Sequence, residues 1–190
     1  MKNVAIFVSG SGTNCENIIR HFSQSDSVKV ALVVSNRADA YALVRAKNHG
    51  VPTAVVGKQD FADAQQVLPL LSGYGIDFVV LAGFLLMIPD YLIAHFPRRM
   101  VNLHPALLPK FGGKGMYGHH VHEAVKAAGE AETGITIHYV SPICDGGEII
   151  AQFSTPLTAD DTPESIAEKV HQLEQRHFPA VIEQVIKATF

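Results

Sequence analysis

Hydrophobic residues fall into two alternating kinds of run along the first hundred positions. "NVAIFVS" is continuously apolar, as in a short strand buried on both faces, and "VKVALVVS", "PTAVV", "IDFVVLAG" and "RMVNLH" repeat the type. Between them the apolar positions switch to helical spacing in "NCENIIRHFSQ", in "DAYALVRAKNHG", which Gly50 stops, and in "FADAQQVLPLLSGYG", where Pro69 is a potential break. "PDYLIAHF" is a short helix. Strands alternating with helices predict a parallel sheet covered on both faces, with right-handed crossovers.

The pattern changes after Pro105. "LPKFGGKGMYG" is a glycine-rich loop and "HHVHEAVKAAG" a helix. "TGITIHYVS" and "GEIIAQFSTPL" read as two strands returning on each other through "PICDGG". "TPESIAEKVHQLEQRHFPAVIEQVIKAT" predicts one or two amphipathic helices, with Thr162 as cap, Pro163 in the first helical position and a break near Pro179. The expected fold class is α/β: a mostly parallel central sheet with helices on both faces, and a C-terminal part with antiparallel strand pairing.

Composition narrows the classes. With 190 residues, 47% hydrophobic and 17% charged, the chain can bury a core as one domain, 1–190, without disulfides. Two cysteines, Cys15 and Cys144, without ligand-like spacing fit a reducing compartment. A net charge of −3 with no basic run disfavours nucleic acid as a partner. The longest apolar run, Phe78 to Pro89, is too short to span a bilayer, and the N-terminus begins on a strand pattern without a signal peptide. A cytoplasmic protein without membrane association is expected.

Chemistry gathers where the strands end. "SGSGTN", Ser9 to Asn14, joins the first strand to the first helix, where free N–H groups and the helix dipole favour a phosphate or carboxylate; a tight turn capped by Thr13 or Asn14 is the plainer alternative. It is neither a dinucleotide fingerprint nor a Walker loop, and "SNRAD" ends the second strand without a ribose-binding acid at its tip. In "MVNLHPALLPKF" Asn102 and His104 share one face at the carboxyl end of the fifth strand, on the edge where α/β sheets bind ligands. An amide donor beside an imidazole can hold an oxyanion and move a proton. Asp145 in "CDGG" could orient and charge the imidazole. Cys144 admits a rival cysteine–histidine hydrolase, and Cys15 near a helix N-terminus a low-pKa thiolate. His119, His120 and His122 in "HHVH", and Glu174 with His177 in "EQRH", have metal-binding residue types but incomplete spacing, so no metal is expected.

Asn-x-His-Pro followed by Leu-Leu-Pro, with Asp-Gly-Gly further on and "SGSGTN" at the start, resembles the folate-dependent formyltransferases along nearly the whole chain, from "VAIFVSGSGTN" through "VVLAGF", "GITIHYV" and "CDGGEIIAQ" to "HQLEQRHFP". The resemblance implies a Rossmann-like formyltransferase fold and transfer of the formyl group of 10-formyltetrahydrofolate, the co-substrate, to the amine of 5′-phosphoribosylglycinamide in purine biosynthesis. It implies Asn102, His104 and Asp145 as catalytic residues. It places the phosphoribosylglycinamide against Gly12, Thr13, Asn14, Pro105 and Glu174. It places the folate against Leu85, Leu86, Met87, Ile88, Asn102, Ser141, Pro142, Ile143, Cys144 and Asp145. Lys58 is the only cation that "GKQDFADAQQ" offers to the phosphate. Partners are then small molecules, and the chain a monomer or homodimer. The alternatives are a related N-formyltransferase with another phosphorylated amine, and a non-catalytic folate- or nucleotide-binding module; the latter would not need the Asn102, His104 and Asp145 trio.

Overall fold

A computed structural model describes residues 1–190. Seven strands form one sheet in the order β3-β2-β1-β4-β5-β6-β7. The strands are β1 (Lys2–Val8), β2 (Val28–Ser35), β3 (Thr53–Val55), β4 (Phe78–Leu81), β5 (Met100–His104), β6 (Glu132–Tyr139) and β7 (Ile149–Pro156). The first five pair in parallel, β5 with β6 and β6 with β7 antiparallel. The expected fold class therefore holds, including the antiparallel C-terminal part.

Burial on both faces explains the continuous apolar runs of β1, β2, β4 and β5, whereas β3, at the sheet edge, is only partly covered. In β1, Val4, Ile6 and Val8 pack with α1 (Thr13–Phe22), α2 (Tyr41–Asn48) and α7 (Pro163–Thr189). Ala5 and Phe7 face the other layer, with α3 (Lys58–Phe61), α4 (Ala64–Gly73) and α5 (Asp90–His95). The remaining helix, α6 (His119–Ala127), closes the first layer through Val125.

Three expectations need correction, two of them at prolines. "FADAQQVLPLLSGYG" is not one helix: a turn separates α3 from α4, which starts where the Asp63 carboxylate accepts the Gln65 N–H. Pro69 lies inside α4 without ending it, because Gln65, whose carbonyl it leaves free, is exposed to water. α7 likewise runs unbroken for 27 residues through Pro179. The carbonyl freed by this proline is that of Gln175, and Asn17 of α1 donates to it through Nδ2 at 2.8 Å. A tertiary hydrogen bond thus replaces the missing helical one. At its start α7 has the expected Thr162 cap, completed to a capping box by Ser165, with Pro163 in the first turn.

Candidate functional site

β1 and β5 both end on the carboxyl edge of the sheet. Asn102 pairs across β5–β6 with His138. That histidine was not among the residues the sequence singled out. His138 Nδ1 lies 2.8 Å from the Tyr139 carbonyl, which can only accept, so Nδ1 carries the proton in the neutral ring. Nε2 is then a lone pair, and the Asn102 amide donates to it at 3.1 Å. The second Asn102 N–H and its oxygen make no other bond within the chain.

His104 is 3% exposed. Its Nε2 donates to the Phe111 carbonyl at 2.7 Å, which turns Nδ1 toward Asp145 Oδ2 at 3.5 Å. The other carboxylate oxygen stands 3.7 Å from His138 Nε2. Asp145 therefore bridges two imidazole nitrogens that both lack protons in the neutral state. A proton on His104 Nδ1 would therefore meet the Asp145 carboxylate. Burial lowers the His104 pKa below that of an ordinary histidine, and the Asp145 charge works against that fall. Burial raises Asp145, but its contacts with His138 and His104 and the Gly113 N–H at 3.0 Å outweigh it, so its pKa lies below the ordinary carboxylate range.

The "DGG" sequence makes this placement possible. Asp145 has φ 52°. A Cβ on Gly147 would lie 1.7 Å from the Tyr139 carbonyl oxygen, so no side chain fits where the return meets β6.

A cavity of about 80 Å³ opens beside these groups. Leu81, Phe84, Leu86, Met87 and Ile88 form one wall; Asn102, His138, Val140, Ser141, Ile143, Cys144 and Asp145 form the other. Most of the residues expected at the folate are therefore together. Leu85 and Pro142 are outside the wall, and Leu85 is 53% exposed; its backbone N–H instead donates to Ser9 Oγ at 2.9 Å. His104 does not line the cavity either, because both its ring nitrogens are turned to Phe111 and Asp145. A larger cavity, about 550 Å³ between Leu68 and Phe96, includes Asp77 just before β4 and so lies at the opposite edge of the sheet.

The loop before α1 joins the same edge. Ser9 donates through Oγ to Asn36 at 2.5 Å while accepting Leu85 N–H, tying the loop to the segment that follows β4. The backbone N–H groups of Ser11, Gly12, Thr13 and Asn14 have no backbone or side-chain acceptor within the chain. No side chain caps α1, so the capping alternative for Thr13 or Asn14 is not realised. Gly12 has φ 77°, and a Cβ there would meet Ala42 Cβ at 2.3 Å; α2 presses on the loop from behind. Asn14 Nδ2 donates to Glu174 Oε2 at 2.9 Å, which brings residues from the two ends of the chain together. Burial raises the Glu174 pKa, against the effect of the Asn14 amide and His171. Pro105, half-buried, follows directly on β5.

The remaining candidates show neither an activated thiol nor a shared metal site. Cys15 is buried and its pKa is pushed up to about 12 by burial and by Glu16, the reverse of an activated thiolate. Cys144 is also raised by burial and by Asp145, and its thiol points at that carboxylate, 3.8 Å away, rather than at an imidazole. His177 stacks on Phe153 with centroids 3.8 Å apart, away from Glu174's partner Asn14. His122 turns into the interior, while His119 and His120 stay exposed beside Glu123. No group of three or more histidine, cysteine, aspartate or glutamate side chains is placed to share a metal ion. Lys58 is exposed at the start of α3. The cation that touches the loop is Arg45, whose Nε donates to the Ser11 carbonyl at 2.8 Å.

Residues 2–182 match the model of the family described as formyl transferase. A chloroplastic phosphoribosylglycinamide formyltransferase of Arabidopsis thaliana is 41% identical over 196 residues, covering 98% of this chain and 67% of that protein. The phosphoribosylglycinamide formyltransferase of Haemophilus influenzae is 34% identical over 187 residues, 96% of this chain and 86% of the relative. Among solved structures, the phosphoribosylglycinamide formyltransferase of Bacillus halodurans superposes with a TM-score of 0.88 at 34% identity, covering 100% of this chain and 97% of the other.

Proposed function

The chain belongs to the formyl transferase family, and from that premise we propose that it transfers the formyl group of 10-formyltetrahydrofolate to the amine of 5′-phosphoribosylglycinamide. The observation that carries this reading is the arrangement on one sheet edge. An amide donor with a free N–H and a carboxylate flanked by two imidazoles line an apolar slot. A loop of unpaired backbone N–H groups ends on the same edge.

The slot between Leu86, Met87 and Ile88 and the 141–145 segment suits a flat heterocycle. The Gly12–Asn14 amides take the phosphate at the helix N-terminus. The amine attacks the formyl carbon; a carbon–nitrogen bond forms, and negative charge builds on the formyl oxygen. Asn102 meets that oxygen with its second N–H, its first being held by His138. Protonated His104 supplies the other donor once the Phe111 carbonyl releases Nε2. Asp145 holds the imidazolium charge and, through a water, carries the proton lost by the attacking amine toward the nitrogen of the departing tetrahydrofolate as the old carbon–nitrogen bond breaks. Glu174, anchored by Asn14, faces the glycinamide end, with Pro105 on the path between the two substrates.

In this reading residues 1–190 act as one domain, as a monomer or homodimer working in the cytoplasm on small molecules. No helix of the chain is long and apolar enough to cross a membrane. The test is a formyl-transfer assay on the purified chain with 10-formyltetrahydrofolate and phosphoribosylglycinamide. Turnover with this amine, and none with other phosphorylated amines, supports the reading; folate binding without transfer to any amine overturns it.

A further inference from the structure

The loop before α1 leaves its N–H groups without acceptors while the carbonyls of Gly10, Ser11 and Gly12 are all used. Gly10 oxygen accepts from Ala42 N–H at 3.1 Å, and Gly12 oxygen from Glu16 N–H at 2.9 Å. The carbonyl between them, that of Ser11, is held by a side chain instead, Arg45 Nε at 2.8 Å. Arg45 is itself fixed on two more sides. Its Nη1 pairs with Glu16 Oε2, and its guanidinium lies 4.9 Å from the centre of the Tyr41 ring. Glu16 would otherwise be out of place. A carboxylate in the first turn of α1 competes with an incoming anion for the same helix terminus. Here it is matched by Arg20 and His49, each at 3.0 Å, as well as by Arg45. Those contacts hold its pKa below the usual carboxylate range.

We propose that Arg45 is a positioning residue for the anion loop: by holding the Ser11 carbonyl turned back against α2, it keeps the N–H groups of Ser11 to Asn14 facing the substrate phosphate. A free Ser11 carbonyl could rotate into the site and set a negative oxygen against the phosphate. Nε and Nη1 of the guanidinium are held by Ser11 and Glu16, so Arg45 acts on the loop from its carbonyl side. This inference rests on the reading that the loop takes a phosphate.

The test uses Arg45→Ala, Arg45→Lys and the double variant Arg45→Ala with Glu16→Gln, all in the full chain. Losing a hydrogen bond from a charged donor should raise KM for phosphoribosylglycinamide by about 10-fold or more. The turnover number at saturation and KM for 10-formyltetrahydrofolate should stay near wild type. Lysine reaches either Ser11 or Glu16 but lacks the fork that spans both, so Arg45→Lys should fall between the two. An unchanged KM in Arg45→Ala overturns the proposal. So does a KM returned to wild type by the added Glu16→Gln, because Arg45 would then only cancel charge. Hydrogen exchange of the Glu16 amide, which the Gly12 carbonyl of the loop protects, without substrate, separates this proposal from the functional reading. Faster exchange in Arg45→Ala supports the positioning role even if no formyl transfer is found, whereas unchanged exchange overturns it even if transfer is found.

Discussion

Replacing Asp145 by asparagine keeps the shape of the side chain and removes its charge. An amide oxygen can still accept the Gly113 N–H, and the NH₂, in the place of Oδ1, can face the His138 lone pair, so the loop should remain in place. What disappears is the attraction between the carboxylate and a protonated His104 at 3.5 Å. At that separation, with an effective dielectric constant of about 20, the attraction is roughly 4–5 kcal/mol. The asparagine dipole returns part of it, so turnover should fall by on the order of 10²–10³-fold. The pH profile adds a second readout. Asp145 raises the His104 pKa against the effect of burial, so removing it must lower that pKa further. The limb of the profile on which activity is lost as His104 deprotonates with rising pH should therefore move to lower pH. Single-turnover formyl transfer across pH measures both quantities, with circular dichroism as the folding control. A folded Asp145→Asn variant with near-normal turnover, or with an unmoved limb, would refute the role assigned to the carboxylate.

Four further substitutions probe the same edge. Asn102→Ala and His104→Ala should each fold and lose about 10²-fold or more in turnover, measured at saturating substrates; near-normal turnover in either removes it from the mechanism. Glu174→Gln should weaken binding of the amine substrate while stabilising the protein at neutral pH. The raised Glu174 pKa means that the folded state favours the neutral side chain, so stability is lost as pH rises through that pKa and glutamine avoids the loss. Melting curves should converge for the two proteins at low pH and separate above it; a variant less stable than wild type at neutral pH contradicts the sign. Cys144→Ser should keep near-normal turnover, as should wild type after exhaustive chelation, and a zinc-reversible loss would point back to the "HHVH" histidines.

The sequence by itself determined the elements whose cause is local. Four of the continuous apolar runs fall on strands buried on both faces, while β3, at the sheet edge, is partly exposed, and β2 falls on "VKVALVVS" residue for residue. The Thr162–Pro163 start of α7 and the Gly50 stop after α2, at φ 69°, follow from the chemistry of those residues. Asn102 and His104 could be placed on the ligand edge because a parallel sheet binds there and the pair closes its last parallel strand. Tertiary structure decided whatever depends on a distant partner. Pro179 reads as a break until Asn17 is seen to donate to the carbonyl it frees. His138 looks like one residue of an alternating strand, and only the β5–β6 register sets it against Asn102. Asn14 and Glu174 meet across almost the entire chain. Arg45 is an ordinary helix residue in sequence, and the cation at the anion loop only once α2 packs on Gly12. Strand and helix formation, caps and turns are fixed by neighbours along the chain. The protonation and direction of a site's side chains are fixed by groups that folding brings from far away, and no local pattern records them.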